Sequence, residues 1–324
     1  MTRTALDARR PFGRLVTAMV TPFHADGSLD TDGAARLATY LVDEQGNDGL
    51  VVNGTTGESA TTTDAEKDAV LRAVLEAVGD RARVIAGVGT NDTRHTVDLA
   101  RAAEKAGAHG TLVVTPYYNK PPQSGILYHF RTVADQCGLP MMVYDIPGRT
   151  GTAIHTETMV QLAEHERIVA VKDAKGDLAA TAWVTKCTDL AVYSGEDKLT
   201  LPLLSVGAVG VVGVPTHLFG RQTKEMIQAY EAGEVARALE LHHKLLPVYE
   251  GFFRTQGVIL AKAALMLEGL PAGPVRPPLC EVNPAEIARL REDCAAAGLT
   301  LGDANRAAAI ESYALTTHHL GVDE

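Results

Sequence analysis

What most limits the fold of this chain is an alternation. Short apolar runs and longer amphipathic stretches follow one another eight times over the first two thirds of the sequence. The apolar runs fall at 15–20, 49–53, 84–88, 111–115, 141–146, 168–172, 190–194 and 209–214. Short continuous apolar runs rich in Val and Ile predict strands buried on both faces of a parallel sheet. The stretches between them carry helical periodicity. Thr63-Asp64-Ala65-Glu66 has the form of a capping box, and the helix it opens places Val70, Leu71, Val74, Leu75 and Val78 on one face before Gly79. Further helices are expected at 31–44, 93–106, 123–137, 156–165, 177–187 and near 199–206. Eight such units predict an α/β fold of the (β/α)8 or TIM barrel type. An open doubly wound sheet is the alternative. It usually carries a Gly-rich dinucleotide turn after its first strand, and Val20-Thr21-Pro22-Phe23 is unlike one.

Past residue 214 the pattern becomes helical only, at 221–231, 234–253, 258–268 and 284–297, with Pro271, Pro274, Pro277 and Pro278 marking a loop. The predicted organisation is a barrel over 11–215, a C-terminal helical domain over 216–300 and a polar, Ala-rich tail over 301–324, after a disordered lead-in at 1–10.

Charge and composition narrow the partners. A net charge of −10 argues against nucleic acid or an anionic membrane as the main partner. No apolar run is long enough to span a bilayer, and the N-terminus lacks the apolar core of a signal peptide. Cys137, Cys187, Cys280 and Cys294 show no C-x-x-C spacing and read as reduced thiols, mostly in the core. A cytoplasmic protein is expected. Neither a metal nor a nucleotide cofactor is expected. His242-His243 and His318-His319 are adjacent pairs that do not share a helix face. Gly87-Val88-Gly89 and the glycines at 207, 210 and 213 are too weak a signal for a nucleotide, and no Walker loop or G-x-S-x-G is present.

In a barrel the residues just after each strand converge on one face. Lys172 ends a buried strand there, where desolvation favours the free amine that attacks a carbonyl to form a Schiff base. Thr55 and Thr56 follow the second strand in a Gly-Thr-Thr-Gly turn, able to bind a carboxylate or pass a proton. Tyr117 and Tyr118 follow the fourth strand. Tyr144 ends the fifth, and Arg149 sits on a Pro-Gly turn where its planar fork suits a carboxylate. Each alone reads as an ordinary turn, a packing aromatic or a surface charge. Together they suit a carbonyl substrate bearing carboxylates.

Four segments, GTTGES at 54–59, TPYYNKP at 115–121, YDIPGRTG at 144–151 and VKDAKGD at 171–177, resemble the dihydrodipicolinate synthase family of class I pyruvate-dependent aldolases, and the similarity runs from about Gly13 to Leu299. The resemblance implies a (β/α)8 barrel with a helical C-terminal domain, commonly a homotetramer built as a dimer of dimers. It implies condensation of pyruvate with L-aspartate 4-semialdehyde to 4-hydroxy-tetrahydrodipicolinate, in lysine and diaminopimelate biosynthesis, with no cofactor beyond a covalent Schiff base on Lys172. Tyr144 would transfer protons beside the lysine, linked to Thr55, and Tyr118 would complete that relay from the neighbouring subunit. Thr56 would bind the pyruvate carboxylate and Arg149 that of the semialdehyde. Val212 lies where the family uses a backbone carbonyl near the lysine.

The sequence departs from the family at Gly213-Val214-Pro215-Thr216, where Ser and small apolar residues are usual, and in its longer tail. At the effector site implied by the resemblance, Ser59, Ala60, Asn91 and Tyr117 match. Lys67 stands for a histidine, however, and His95 for a glutamate, so feedback by L-lysine is expected to be weak or absent. A sugar-acid aldolase or dehydratase of the same superfamily, or a silent keto-acid-binding paralog, are the alternatives.

Overall fold

A computed structural model describes residues 9–302. Eight parallel strands close into a barrel in chain order: β1 (Leu15–Ala18), β2 (Gly49–Val52), β3 (Arg83–Gly87), β4 (Gly110–Val114), β5 (Met141–Asp145), β6 (Ile168–Asp173), β7 (Ala191–Ser194) and β8 (Gly210–Gly213), which pairs back with β1. The expected α/β barrel is the observed one. Most strands match their apolar runs to within a residue or two. The first ends early, at Ala18, because Val20 leaves the sheet and donates its N–H to Nε2 of His217 at 3.1 Å.

Outside the barrel lie α1 (Thr31–Thr39), α2 (Asp64–Val78), α3 (Thr93–Ala106), α4 (Gln123–Gln136), α5 (Pro147–Thr150), α6 (Thr156–Ala163), α7 (Leu178–Cys187) and α8 (Thr200–Leu204). The capping box at the start of α2 forms as expected: Thr63 Oγ1 accepts from Glu66 N and the Glu66 carboxylate accepts from Thr63 N. α3 ends on Gly107 at φ +92, the left-handed cap glycine favours. The Arg149 turn, expected as an irregular Pro-Gly turn, is instead the one-turn helix α5, with Pro147 at its first position.

The C-terminal part is α9 (Thr216–Glu231), α10 (Val235–Gly251), α11 (Gly257–Leu267) and α12 (Pro284–Ala296). α9 begins at Thr216 rather than near 221. Its first turn is kinked at Phe219 (φ −117°) and buries Leu218 and Phe219, which breaks the amphipathic period there. One continuous hydrophobic cluster runs from barrel residues such as Val51 and Val143 into Phe219, Leu245, Val258 and Leu290, so the helices share the core of the barrel. The packed chain continues past 300: Leu301 is buried, and Arg291 donates to the carbonyls of Leu301 and Gly302. The rest of the tail, and residues 1–8 of the lead-in, lie outside the described residues. Cys137 and Cys294 are core thiols, but Cys187, at the end of α7, and Cys280, in a loop, are exposed. Among the described residues no helix is long and apolar enough to cross a membrane.

Strand register sets the site. Tyr144 of β5 pairs with Lys172 of β6, which pairs with Tyr193 of β7. Paired residues share a face of the sheet, so Tyr144 and Lys172 point the same way. β6 also holds an irregularity: Met141 pairs with Ile168 but Met142 with Ala170, so Val169 is an extra residue, a β-bulge.

Candidate active site

Lys172 is 5% exposed, and its Nζ lies 4.2 Å from the centroid of the Tyr144 ring. Burial lowers the amine to about pH 8; Asp197 and Glu196 oppose the shift, and Arg149 adds to it. Near pH 7 such an amine is about one tenth neutral, against roughly one part in 2,500 for an unperturbed lysine. An amine in that state is available to act as a nucleophile. Burial also pushes the Tyr144 phenol well above its usual range, so the hydroxyl remains protonated and able to donate.

Asp197, which sequence reasoning missed, is a buried carboxylate whose charge acts on this amine. It is 1% exposed; burial pushes it up to about 7, while Val214 N–H and Lys172 act to lower it. Its Oδ2 accepts from Val214 N at 3.3 Å. This accounts for the unusual segment after β8. A Cβ on Gly213 would lie 2.3 Å from Asp197 Oδ1 and 2.7 Å from Thr216 Cγ2, so the glycine makes room for both. The Thr216 hydroxyl bonds Thr17 at 2.7 Å, which fixes the wall in place. Val212 is buried in β8, two strands from Lys172 in the barrel order.

Thr55 and Thr56 sit on the loop after β2; Thr56 is buried and Thr55 exposed. The left-handed backbone is not on the glycines of this loop. Asn53 (φ 61°) and Glu58 (φ 53°) adopt it instead, a conformation costing about 1 kcal/mol or more for a residue with a side chain. Gly57 serves the close approach of the chain to Asn53 N and Thr21 Oγ1, both 3.2 Å from where a Cβ would stand.

Arg149 is exposed on α5, and its Nη2 donates to Gln256 Oε1 at 2.9 Å. Gln256 also caps α11 through Gly257 N, so the helical part reaches the site. Behind Arg149, the buried Asp145 carboxylate accepts from Ile154 N and lies 3.5 Å from Lys175 Nζ. It thereby ties the chain after α5 to the turn that follows Lys172. Tyr118 is not part of the cluster formed by the single chain. It is 90% exposed at φ 73°, and its N–H is held by Thr150 O.

Thr55 and Arg149 share the wall of a cleft of about 530 Å³ with Ser59, Asn91, His95 and Tyr117. Lys172, Tyr144 and Thr56 do not line this cleft. A buried amine with a lowered pKa over a phenol has the chemistry to form an imine with a small keto acid. The dihydrodipicolinate synthetase family profile matches residues 11–297. The chain belongs to that family. Curated relatives named 4-hydroxy-tetrahydrodipicolinate synthase include one from Acidothermus cellulolyticus, 74% identical over 90% of this chain and 94% of that protein. Another, from Streptomyces coelicolor, is 62% identical over 90% of this chain and 97% of that protein. Among solved structures, the synthase of Cyanidioschyzon merolae, determined with lysine bound, aligns with TM-score 0.87 at 45% identity and covers 89% of this chain and 99% of that one.

The lowered amine predicts a pH profile for this family member. If neutral Lys172 is the reacting amine, kcat/KM for pyruvate is expected to rise tenfold per pH unit below about 8 and to level off above it. Initial rates from pH 6 to 10 check this. A flat profile below 8 means that the amine is not the reacting group.

Proposed function

We propose that the chain condenses pyruvate with L-aspartate 4-semialdehyde to 4-hydroxy-tetrahydrodipicolinate, the step that leads toward lysine and diaminopimelate. The observation that carries this reading is the buried, desolvated Lys172 against Tyr144 within a barrel of this family. The neutral Lys172 amine adds to the pyruvate ketone, and water leaves as the iminium forms. The iminium withdraws electrons, so the pyruvate methyl gives up a proton and an enamine results. The enamine carbon attacks the aldehyde, whose oxygen takes a proton from the hydroxyl relay of Tyr144, Thr55 and a partner subunit's tyrosine equivalent to Tyr118. The substrate amine then displaces Lys172 as the ring closes, returning the free enzyme. Thr56 holds the pyruvate carboxylate, Arg149 holds that of the semialdehyde, and Val212 offers its carbonyl. No cofactor takes part. The exposed Tyr118 supports completion of each site by a neighbouring copy, within the homotetramer proposed for this cytoplasmic enzyme.

The test is product formation from pyruvate with the semialdehyde or with sugar aldehydes, joined to borohydride trapping. A pyruvate-derived mass on the peptide containing Lys172 and a preference for the semialdehyde are expected. Trapping without that preference supports a sugar-acid aldolase, and no trapping supports a silent paralog.

Feedback by L-lysine is expected to be weak. His95 Nε2 lies 2.9 Å from Asp64 Oδ2, and the Lys67 amine donates to Thr62 O. Asp64 also lines the cleft, but its carboxylate is engaged by the His95 ring and lies 3.9 Å from Lys67 Nζ, so an effector ammonium meets an imidazole and an ammonium around a carboxylate already paired. Losing that partner costs about 1 kcal/mol or more. Half-inhibition at micromolar lysine contradicts this.

A further inference from the structure

We infer that the C-terminal helices act on the chemistry through a buried ionic strut, Glu58–Lys262, which with Arg276 holds the loop carrying Thr55 and Thr56 in place; all three are positioning residues. The inference rests on the proposed roles of those two threonines.

Lys262 stands in the middle of α11, whose other residues from Gly257 to Leu267 are apolar. It is 1% exposed, and its Nζ lies 2.6 Å from Glu58 Oε1, itself buried. The same amine donates to Pro274 O at 2.7 Å and lies 4.2 Å from the centroid of the Phe23 ring. The second Glu58 oxygen accepts from Arg276 N at 2.8 Å. The Arg276 guanidinium then spreads over Thr61 O, Gly27 O and the Glu66 carboxylate, with its carbon 4.1 Å from the Phe23 ring. Each charge in the group has an opposite partner, although Glu58 Oε1 meets the Lys262 amine as a close ion pair without hydrogen-bond geometry.

The strut grips the loop where its backbone is least able to hold itself. Glu58 and Asn53, at either end of the 54–57 turn, both sit at positive φ. Side-chain residues keep that conformation only when their surroundings impose it. Here Glu58 is fixed from α11 and from the 274–276 segment, and Asn53 from α2 through Lys67 O at 2.9 Å. α11 also carries the Arg149 contact at its start, at Gln256. Gln256 and Lys262 are six residues apart, roughly 9 Å along a helix. One rigid rod thus spaces the threonine loop from the arginine turn.

A buried ion pair can be replaced by neutral side chains of similar shape with little loss of stability, whereas removing one partner strands the other. The test is therefore the double variant Glu58→Gln/Lys262→Met in the full chain, with its fold checked by circular dichroism. Expected are amide exchange at residues 54–62 at least tenfold faster, kcat/KM for pyruvate at least tenfold lower, and an unchanged pH midpoint for Lys172. If the double variant does not fold, Arg276→Ala, which keeps the backbone bond to Glu58, is expected to give a smaller shift in the same direction. Unchanged exchange in a folded variant overturns the strut. Faster exchange with unchanged pyruvate kinetics overturns its service to catalysis. In that case Thr55→Val and Thr56→Val locate the failure: harmless variants overturn the roles of the threonines, and damaging ones overturn the coupling alone.

Discussion

Lys172→Ala is expected to lose activity on the order of 10⁴-fold or more, because the covalent route disappears with its nucleophile. Borohydride with pyruvate should then add no mass to the peptide that carried Lys172. The alanine leaves a small cavity beside Tyr144 and removes a desolvated amine, so the fold should persist, as a thermal melt can verify. A variant retaining substantial turnover with a trapped adduct elsewhere would falsify the assignment. Lys262 is the informative control. It is also buried, and burial likewise lowers it to about 8, but Glu58 opposes the shift and stands 2.6 Å away. A lowered pKa therefore does not by itself identify the nucleophile. Both amines lie 4.2 Å from an aromatic ring; what sets Lys262 apart is its ion pair with Glu58 at 2.6 Å and its bond to the Pro274 carbonyl.

Arg149→Ala is expected to spare pyruvate binding and to raise KM for the semialdehyde. The semialdehyde carries its carboxylate at the end away from its aldehyde, so a guanidinium gripping that end aims the aldehyde at the enamine. Arg149 is exposed, and solvent screens it. The loss in kcat/KM is accordingly about 1–3 kcal/mol, below the value for a fully desolvated pair. Lysine should rescue only in part, since an ammonium lacks the planar fork. Steady-state KM values for both substrates in wild type, Arg149→Ala and Arg149→Lys decide the matter. Unchanged semialdehyde kinetics in the alanine variant remove Arg149 from recognition.

Most of the barrel was legible because its signal is local. Each strand is a short, mostly apolar run that needs no knowledge of its neighbours, and Lys172 drew notice by ending one. The elements that escaped are those whose stability comes from elsewhere. α5 is a single turn that no periodicity can reveal. The first turn of α9 buries residues on more than one side. The site was legible in its strand-end residues and illegible in their supports. Glu58 meets Lys262 and Arg276 from more than 200 residues away, and Arg149 meets Gln256 across more than 100. A lone lysine inside GVILAKAALML was the available signal for the strut, and Lys262 reads there as an exposed spoke unless a buried acid is sought for it. Asp197 gave no signal, since it lies in a polar turn like many others.

The bulge at Val169 bears on how β6 can change in length. An insertion or deletion between Ala170 and Lys172 would turn the amine to the opposite face of the sheet, away from Tyr144, because side chains alternate along a strand. Removing Val169 is different. Ile168 and Ala170 would become consecutive opposite Met141 and Met142, which already are, and everything from Ala170 onward would keep its partners. The strand thus carries a spare residue upstream of Lys172. Shortening the chain there is absorbed at the far end of the strand from Lys172, whereas one residue lost further on would turn Lys172 away from Tyr144.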